Sequence, residues 1–245
     1  PFVATPAEPD AEGKEQRYRA MVRYVDRTVG RVLDALEQDG QRRNTVVLFT
    51  TDNGSARGLR GRRDGSEVAG GKGQLRESGV RAPFLVTGPG VPAGRVSPAL
   101  IDFSDLLPTL AELGGAELPA DAVFDGRSFA GHLLGEAGAT DRRWTLAMGG
   151  GTAVVVDGRV VPRTAYADRV LFDGRFKLWV EDGAPSRLYD LDRDPGERRD
   201  LIDSGEPLHR AARERLEAVL SGLPEQDAAP RYTPNPPQEW DSAPG

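Results

Sequence analysis

The stretch Thr45-Val46-Val47-Leu48-Phe49-Thr50-Thr51-Asp52-Asn53-Gly54 (TVVLFTTDNG) decides the fold. Its β-branched, aliphatic and aromatic residues run without polar alternation. That pattern predicts a short strand buried on both faces. Upstream, from Gln16 to Gln38, the apolar positions are Met21, Val22, Val25, Val29, Val32, Leu33 and Leu36. This is helical spacing with one buried stripe and Arg or Asp opposite it. Gly40 suits the helix C-terminus. A helix followed by such a strand suggests an α/β fold, with a parallel sheet covered by helices.

Downstream of the strand, residues 53–73 hold seven Gly and four Arg (Arg57, Arg60, Arg62 and Arg63) with no hydrophobic period. This reads as a long loop, and long loops in compact domains are usually functional or disordered. Arg81 to Thr87 is a second apolar strand, interrupted at Pro83 and ended by Gly88-Pro89-Gly90. Ser104 to Leu113 predicts a short helix with Leu106, Leu107, Leu110 and Leu113 facing inward, and a further helix is expected around Ser128–Leu134.

After Gly135 the character changes. Val154–Val156 leads through Asp157-Gly158 to Val160 and Val161, and Val170–Phe172 through Asp173-Gly174 to Phe176, Leu178 and Trp179. Strands around Asp-Gly signal hairpins. Leu188 to Leu191 adds a short strand, and Glu206 to Leu220 a closing amphipathic helix. The expected organisation is three parts. Residues 1–135 belong to the α/β catalytic domain, 136–223 form a small antiparallel C-terminal subdomain, and 224–245 form a Pro-rich extended tail. Trp179 reads as core and, with Trp240, is the candidate aromatic for an oligomer interface.

Composition narrows the functional classes. The 245 residues are 38% hydrophobic, enough for one sizeable core. A net charge of −6 without a basic cluster argues against nucleic acid as the main partner. There is no Cys, so a disulfide framework and thiolate metal ligation are excluded for this chain. No apolar run approaches the roughly 18 residues of a membrane span. The chain opens Pro1-Phe2-Val3, with neither Met nor a secretory signal, which reads as a fragment of a longer protein. Of its 32 basic residues only Lys14, Lys72 and Lys177 are Lys. A retained Lys is therefore mildly informative, because an ammonium and a guanidinium differ in shape and hydration.

The candidate chemistry sits where the first strand ends. In open α/β sheets ligands bind beyond the carboxyl ends of strands. Asp52 and Asn53 offer a carboxylate and an amide oxygen side by side, hard donors that suit Ca²⁺ or Mg²⁺. As a tetrapeptide alone, Thr51–Gly54 is more commonly a plain turn, since Asp and Asn tolerate left-handed backbone. Lys72, in Gly70-Gly71-Lys72-Gly73, is a point charge for sulfate or phosphate on a backbone that can approach an anion closely. A solvated loop Lys is the commoner fate. His132 and His209, the only His, both fall in helical patterns and read as packed or surface residues.

Taken in order, Thr45–Gly54 (TVVLFTTDNG), Gly70–Pro83 (GGKGQLRESGVRAP) and Phe84–Gly90 (FLVTGPG) resemble the sulfatase family. The helix Tyr18–Gly40, Asp105–Leu113 (DLLPTLAEL), Asp125–Ser128 (DGRS), Lys177–Trp179 and Leu188–Glu197 (LYDLDRDPGE) are similar to further family segments, so the likeness spans about residues 15–203. The resemblance implies part of an alkaline-phosphatase-like sheet covered by helices, with a small C-terminal antiparallel sheet and closing helix. It implies sulfuric ester hydrolysis, with Asp52 and Asn53 as metal ligands and Lys72 contacting the sulfate of a small-molecule or glycan ester. Glu77, Gly79 and Arg81 match a stretch that reads as structural, Glu77 and Arg81 forming an ion pair or brace. Asn at position 53, with only two His in the chain, favours Ca²⁺ or Mg²⁺ over a two-zinc arrangement.

The family nucleophile is a formylglycine made from Cys or Ser within Cys/Ser-x-Pro/Ala-x-Arg. No residue here begins that motif, so the formylglycine is expected only in a missing N-terminal half, and this chain alone is expected to be inactive. Two other readings stand beside the sulfatase: a phosphonate or phosphodiester hydrolase of the same superfamily, and a non-catalytic fragment. The resemblance is compatible with a periplasmic or secreted location.

Overall fold

The structure, a computed structural model, describes residues 2–63, 65–136, 140, 142–149, 153–156, 159–162 and 168–225. The Asp157-Gly158 turn, nearly all of the Pro-rich tail and Trp240 lie outside the described residues. The chain opens on helix α1 (Gly13–Gln38), closed by Gly40 at φ +68°. Strand β1 (Val47–Thr50) follows. The long loop contains its own hairpin, β2 (Arg60–Arg63) and β3 (Ser66–Ala69), and a single helical turn, α2 (Glu77–Val80). Strand β4 (Phe84–Thr87) then returns beside β1.

β1 and β4 are antiparallel, with Val47 opposite Thr87 and Thr50 opposite Phe84, and not parallel as the helix–strand order suggested. The reason is local. A parallel neighbour needs a crossover that carries the chain back to the starting end. Residues 51–83 instead stay at the exit end of β1, so the chain can only return in the opposite direction. Burial also departs from expectation. β1 is half-buried throughout, and β4 alternates, with Leu85 exposed. In α1 only Ala20 is fully buried, while Val22, Val25 and Val32 of the expected stripe are exposed. The β1–β4 sheet has two strands among the described residues, too few to bury its own strands on both faces or to cover a helix.

Helix α3 (Leu106–Leu113) follows a 3₁₀ turn at Phe103–Asp105 that is capped reciprocally by Asp102 and Asp105. It buries Pro108 and Thr109, whereas Leu107 and Leu110, expected to face inward, are exposed. Its neighbour α4 (Ala130–Leu133) is led in by buried Phe129, which packs edge-on against Phe84. Asp105 ties this region to the C-terminal half. It accepts a charged bond from Arg142 Nε at 2.7 Å and the backbone N–H of Arg127 at 2.8 Å.

The largest core lies further on. Strands β5 (Thr145–Met148), β8 (Asp168–Phe172), β9 (Phe176–Glu181) and β10 (Ala184–Asp190) form an antiparallel sheet in the order β10-β9-β8-β5. Between them in sequence, β6 (Ala153–Val156) and β7 (Arg159–Pro162) pair as a separate hairpin. Helix α5 (Pro207–Ser221) covers one face of the four-stranded sheet. Leu171, Phe176, Leu178, Val180, Leu188, Ala212 and Leu216 fill that interface. β9 is buried on both sides, so alternate residues divide. Phe176, Leu178 and Val180 face α5, while Trp179 faces a second cluster with Val170, Tyr189 and Leu75. Leu75 belongs to the long loop after β1, so the C-terminal sheet supports that loop directly.

Candidate functional site

β1 stops at Thr50 because Thr51 turns its hydroxyl to the carbonyl of Asn53, at 2.9 Å, beginning a bend. Among the described non-Gly residues only Asp182 and Glu197 have positive φ, so Asp52 and Asn53 do not form a left-handed turn. The bend is held by close backbone approach. The N–H of Gly54 donates to Gly79 O at 2.8 Å, and a Cβ at Gly54 would lie 2.1 Å from Ser78 O. Cβ atoms at Gly70 and Gly79 would likewise lie 2.1 Å from Ala56 O and 2.2 Å from Gln74 O. The glycines expected to admit an anion therefore admit the chain's own backbone, which lets residues 70–79 lie flat against 53–56.

That contact brings the predicted residues to one place. The N–H of Lys72 donates to Ser55 O at 2.9 Å, two residues beyond Asn53. Arg57 Nε holds the same loop through Lys72 O at 2.9 Å, and its Nη2 holds Gly73 O at 3.0 Å. Asp52 and Lys72 are exposed and Asn53 is half-buried. All three line one open concavity of about 2500 Å³, with Arg76, Glu77 and Arg198 also on its walls. Among the described residues, no hydrogen bond or ion pair occupies any of these three side chains. Asp52 and Asn53 offer a carboxylate and an amide oxygen, a hard-donor pair that fits an oxygen-preferring divalent cation. Among the described residues there is no cluster of three or more His, Asp or Glu that could hold a metal.

Glu77 and Arg81 form the expected ion pair, at 3.7 Å. The sequence reading missed what Glu77 does on its other side. Lys177 Nζ, on the same face of β9 as Trp179, lies 3.7 Å from Glu77 Oε1 and 3.1 Å from Glu197 Oε1. Glu197 also accepts the backbone N–H of Glu77 at 2.5 Å and Trp179 Nε1 at 3.0 Å. Both Lys177 and Glu197 are buried. Burial lowers the Lys177 pKa, and the carboxylates of Glu197 and Glu77 work against that. The scarcity of Lys that singled out Lys72 applied equally to Lys177, and was the available signal.

The histidines sit elsewhere. His209 is buried against Phe176 and bonds Ser204 Oγ through Nδ1 at 2.8 Å. His132 reaches the concavity wall, but its Nε2 is engaged by Ser97 Oγ at 2.7 Å. Burial, then the charge of Arg95, lowers its pKa.

Comparison with known proteins agrees over most of the chain. The family model described as Sulfatase matches residues 5–116. The steryl-sulfatase of Mus musculus is 36% identical over 247 residues, covering 88% of this chain and 39% of that protein. The chain thus spans about two fifths of the length of the curated relatives it matches. Among solved structures, a 2-O GAG sulfatase superposes with TM-score 0.61 at 25% identity, over 94% of this chain and 48% of its own. The phosphonate monoester hydrolase of Silicibacter pomeroyi superposes with TM-score 0.60 at 26% identity, over 89% and 44%.

Proposed function

This chain belongs to the sulfatase family, and on that premise we propose that it supplies part of the metal and sulfate site of a sulfuric ester hydrolase. One observation supports the reading most. Three polar side chains of the expected types, Asp52, Asn53 and Lys72, open on one concavity with no partner among the described residues. Asp52 and Asn53 would hold Ca²⁺ or Mg²⁺. Held there, such a cation would supply Lewis-acid polarisation of the ester. Lys72 would neutralise charge on the sulfuryl oxygens as a point-charge ammonium. The Gly54–Gly79 and Lys72–Ser55 backbone bonds keep the segments that carry these side chains in register. The nucleophile and proton-transfer groups would come from outside this chain, whose residues 1–135 would contribute to the catalytic α/β domain. A small-molecule or glycan sulfate ester is the substrate class.

The test uses this chain. Ca²⁺ is titrated while the Asn53 side-chain amide is followed by NMR. Two protein donors of the roughly six oxygens that Ca²⁺ prefers predict millimolar or weaker affinity. Shifts centred on Asn53 that disappear in Asp52→Ala support the assignment, and shifts that persist in Asp52→Ala refute it.

A second reading is phosphonate ester hydrolysis at the same groups, favoured by the superposition on the phosphonate monoester hydrolase. Inorganic sulfate and phosphonate titrations that read Lys72 shifts rank the two anions.

A further inference from the structure

The C-terminal sheet bears on the candidate site through one buried carboxylate. Glu197 is 4% exposed, and its backbone is left-handed at φ +51°, a conformation that a non-glycine residue adopts at a cost. Such a position persists where the surroundings hold it, and here every side-chain contact does. Oε1 accepts Lys177 Nζ and the Glu77 N–H, and Oε2 accepts Trp179 Nε1. The residue before it adds a further tie, Gly196 O receiving Arg76 Nη1 at 3.4 Å. The Arg76–Val80 turn is therefore pinned to β9 through a segment 120 residues away in the chain. The same turn is the surface against which Gly54 packs, through Gly79 O and Ser78 O. Gly71 packs on it too, a Cβ there lying 2.5 Å from Ser78 Oγ. Asp52 and Asn53 directly precede Gly54, and Lys72 directly follows Gly71.

We propose that Glu197 is a positioning residue of the Asp52–Asn53–Lys72 site. Locked by Lys177 and Trp179, it fixes the Arg76–Val80 turn as the template on which both halves of the site are laid. The inference rests on the functional reading above for the importance of that site, and on the contacts alone for the clamp. An ammonium suits this place better than a guanidinium. It is compact, it carries three donors that can point to separate carboxylates, and it lies 5.8 Å from the Trp179 ring. Lys177 stands between Glu77 and Glu197, and Arg81 offsets the second negative charge, so the group is neutral as a whole.

The experiment is native-state amide exchange on this chain, wild type against Glu197→Gln. The substitution keeps side-chain volume and an acceptor oxygen but removes the charge that Lys177 faces. The expected result is about a tenfold loss of protection at the Gly54 and Lys72 N–H groups, with the β8–β9 amides of Val170, Leu171 and Leu178 changing less than about threefold. Equal loss at both places, or no loss at Gly54 and Lys72, overturns the proposal, since Glu197 would then brace the whole fold or nothing. If Glu197→Gln does not fold, Lys177→Gln removes the charge that Oε1 faces and leaves the Trp179 ring in its cluster, and the same selective pattern at about threefold is required. Titration of each protein with Ca²⁺ separates the two readings. Selective loss of protection in the variant, with no Asn53 response to Ca²⁺ in the wild type, upholds the clamp and refutes the metal assignment. Ca²⁺ binding with unaltered protection does the reverse.

Discussion

Gly54→Ala tests whether close backbone approach builds the site. A Cβ at this position would sit 2.1 Å from Ser78 O and 2.7 Å from its carbonyl carbon. Real Cβ contacts of that kind do not fall below about 3 Å, so the 76–80 turn must retreat by nearly an ångström. The Gly54–Gly79 hydrogen bond, now 2.8 Å, would then leave bonding range. Overpacking costs about 1–3 kcal/mol, and the lost bond about 1 kcal/mol more. Allowing for relaxation, the loop's stability against local opening falls by about 2 kcal/mol, or roughly thirtyfold in the exchange rates of the Gly54 and Lys72 amides. Native-state hydrogen exchange reads this directly. Gly30→Ala is the control, because a Cβ there meets nothing within 4 Å and the position is inside α1. It should stabilise by up to about 1 kcal/mol through helix propensity. Opposite signs for the two Gly→Ala changes are the expectation. If Gly54→Ala leaves Lys72 protection unchanged, the packing argument for the site is refuted.

Further outcomes follow from the buried charges. Arg142→Met leaves the Asp105 carboxylate buried without its cation and should cost about 3–5 kcal/mol in urea unfolding, while the double variant Arg142→Met/Asp105→Asn regains part of that loss. A loss under about 1 kcal/mol would show that the pair does not join the two halves of the chain. Arg175, donating to Asp190, holds that carboxyl below its ordinary range. Burial pushes the Asp105 carboxyl up, but the Arg142 bond and the N–H groups of Arg127 and Asp102 outweigh it and keep it low. A carboxyl lowered in the folded state stabilises fully above the unfolded value of about 3.9 and loses that contribution as pH falls through the folded value. Melting temperature should therefore drop steeply below about pH 4, and Asp190→Asn should flatten that part of the curve; an unchanged acid slope would contradict the assignment.

Much of the C-terminal half was legible because its signals are local. The Asp173-Gly174 turn, the apolar Phe176, Leu178 and Trp179 of β9 and the helical period of α5 each depend on neighbours a few residues away, and the structure has all three elements. The N-terminal half was less so. Helix α1 and strands β1 and β4 lie where periodicity put them, yet their expected burial and parallel pairing do not hold. Periodicity reports which face could be buried, while burial itself depends on what arrives to cover it. Leu107 and Leu110 of α3 make the same point, apolar at helical spacing and exposed.

At the site the division is finer. By itself, the order of residues determined the candidate groups: a hard-oxygen pair after a buried-type strand, a rare Lys between glycines, and a Glu four residues before an Arg. Chemistry is carried by residue type, and type is what a sequence states. Tertiary structure alone decided that Gly54, Gly70, Gly71 and Gly79 serve close packing against the chain's own backbone, that Asp52, Asn53 and Lys72 line one concavity, and that Lys177 and Glu197 form a buried ion pair in contact with Glu77. Those facts depend on contacts between segments as far as 120 residues apart, such as Glu77 with Glu197. No local pattern encodes such a meeting, because it is set by the packing of Leu75 and Val80 on the far face of the C-terminal sheet.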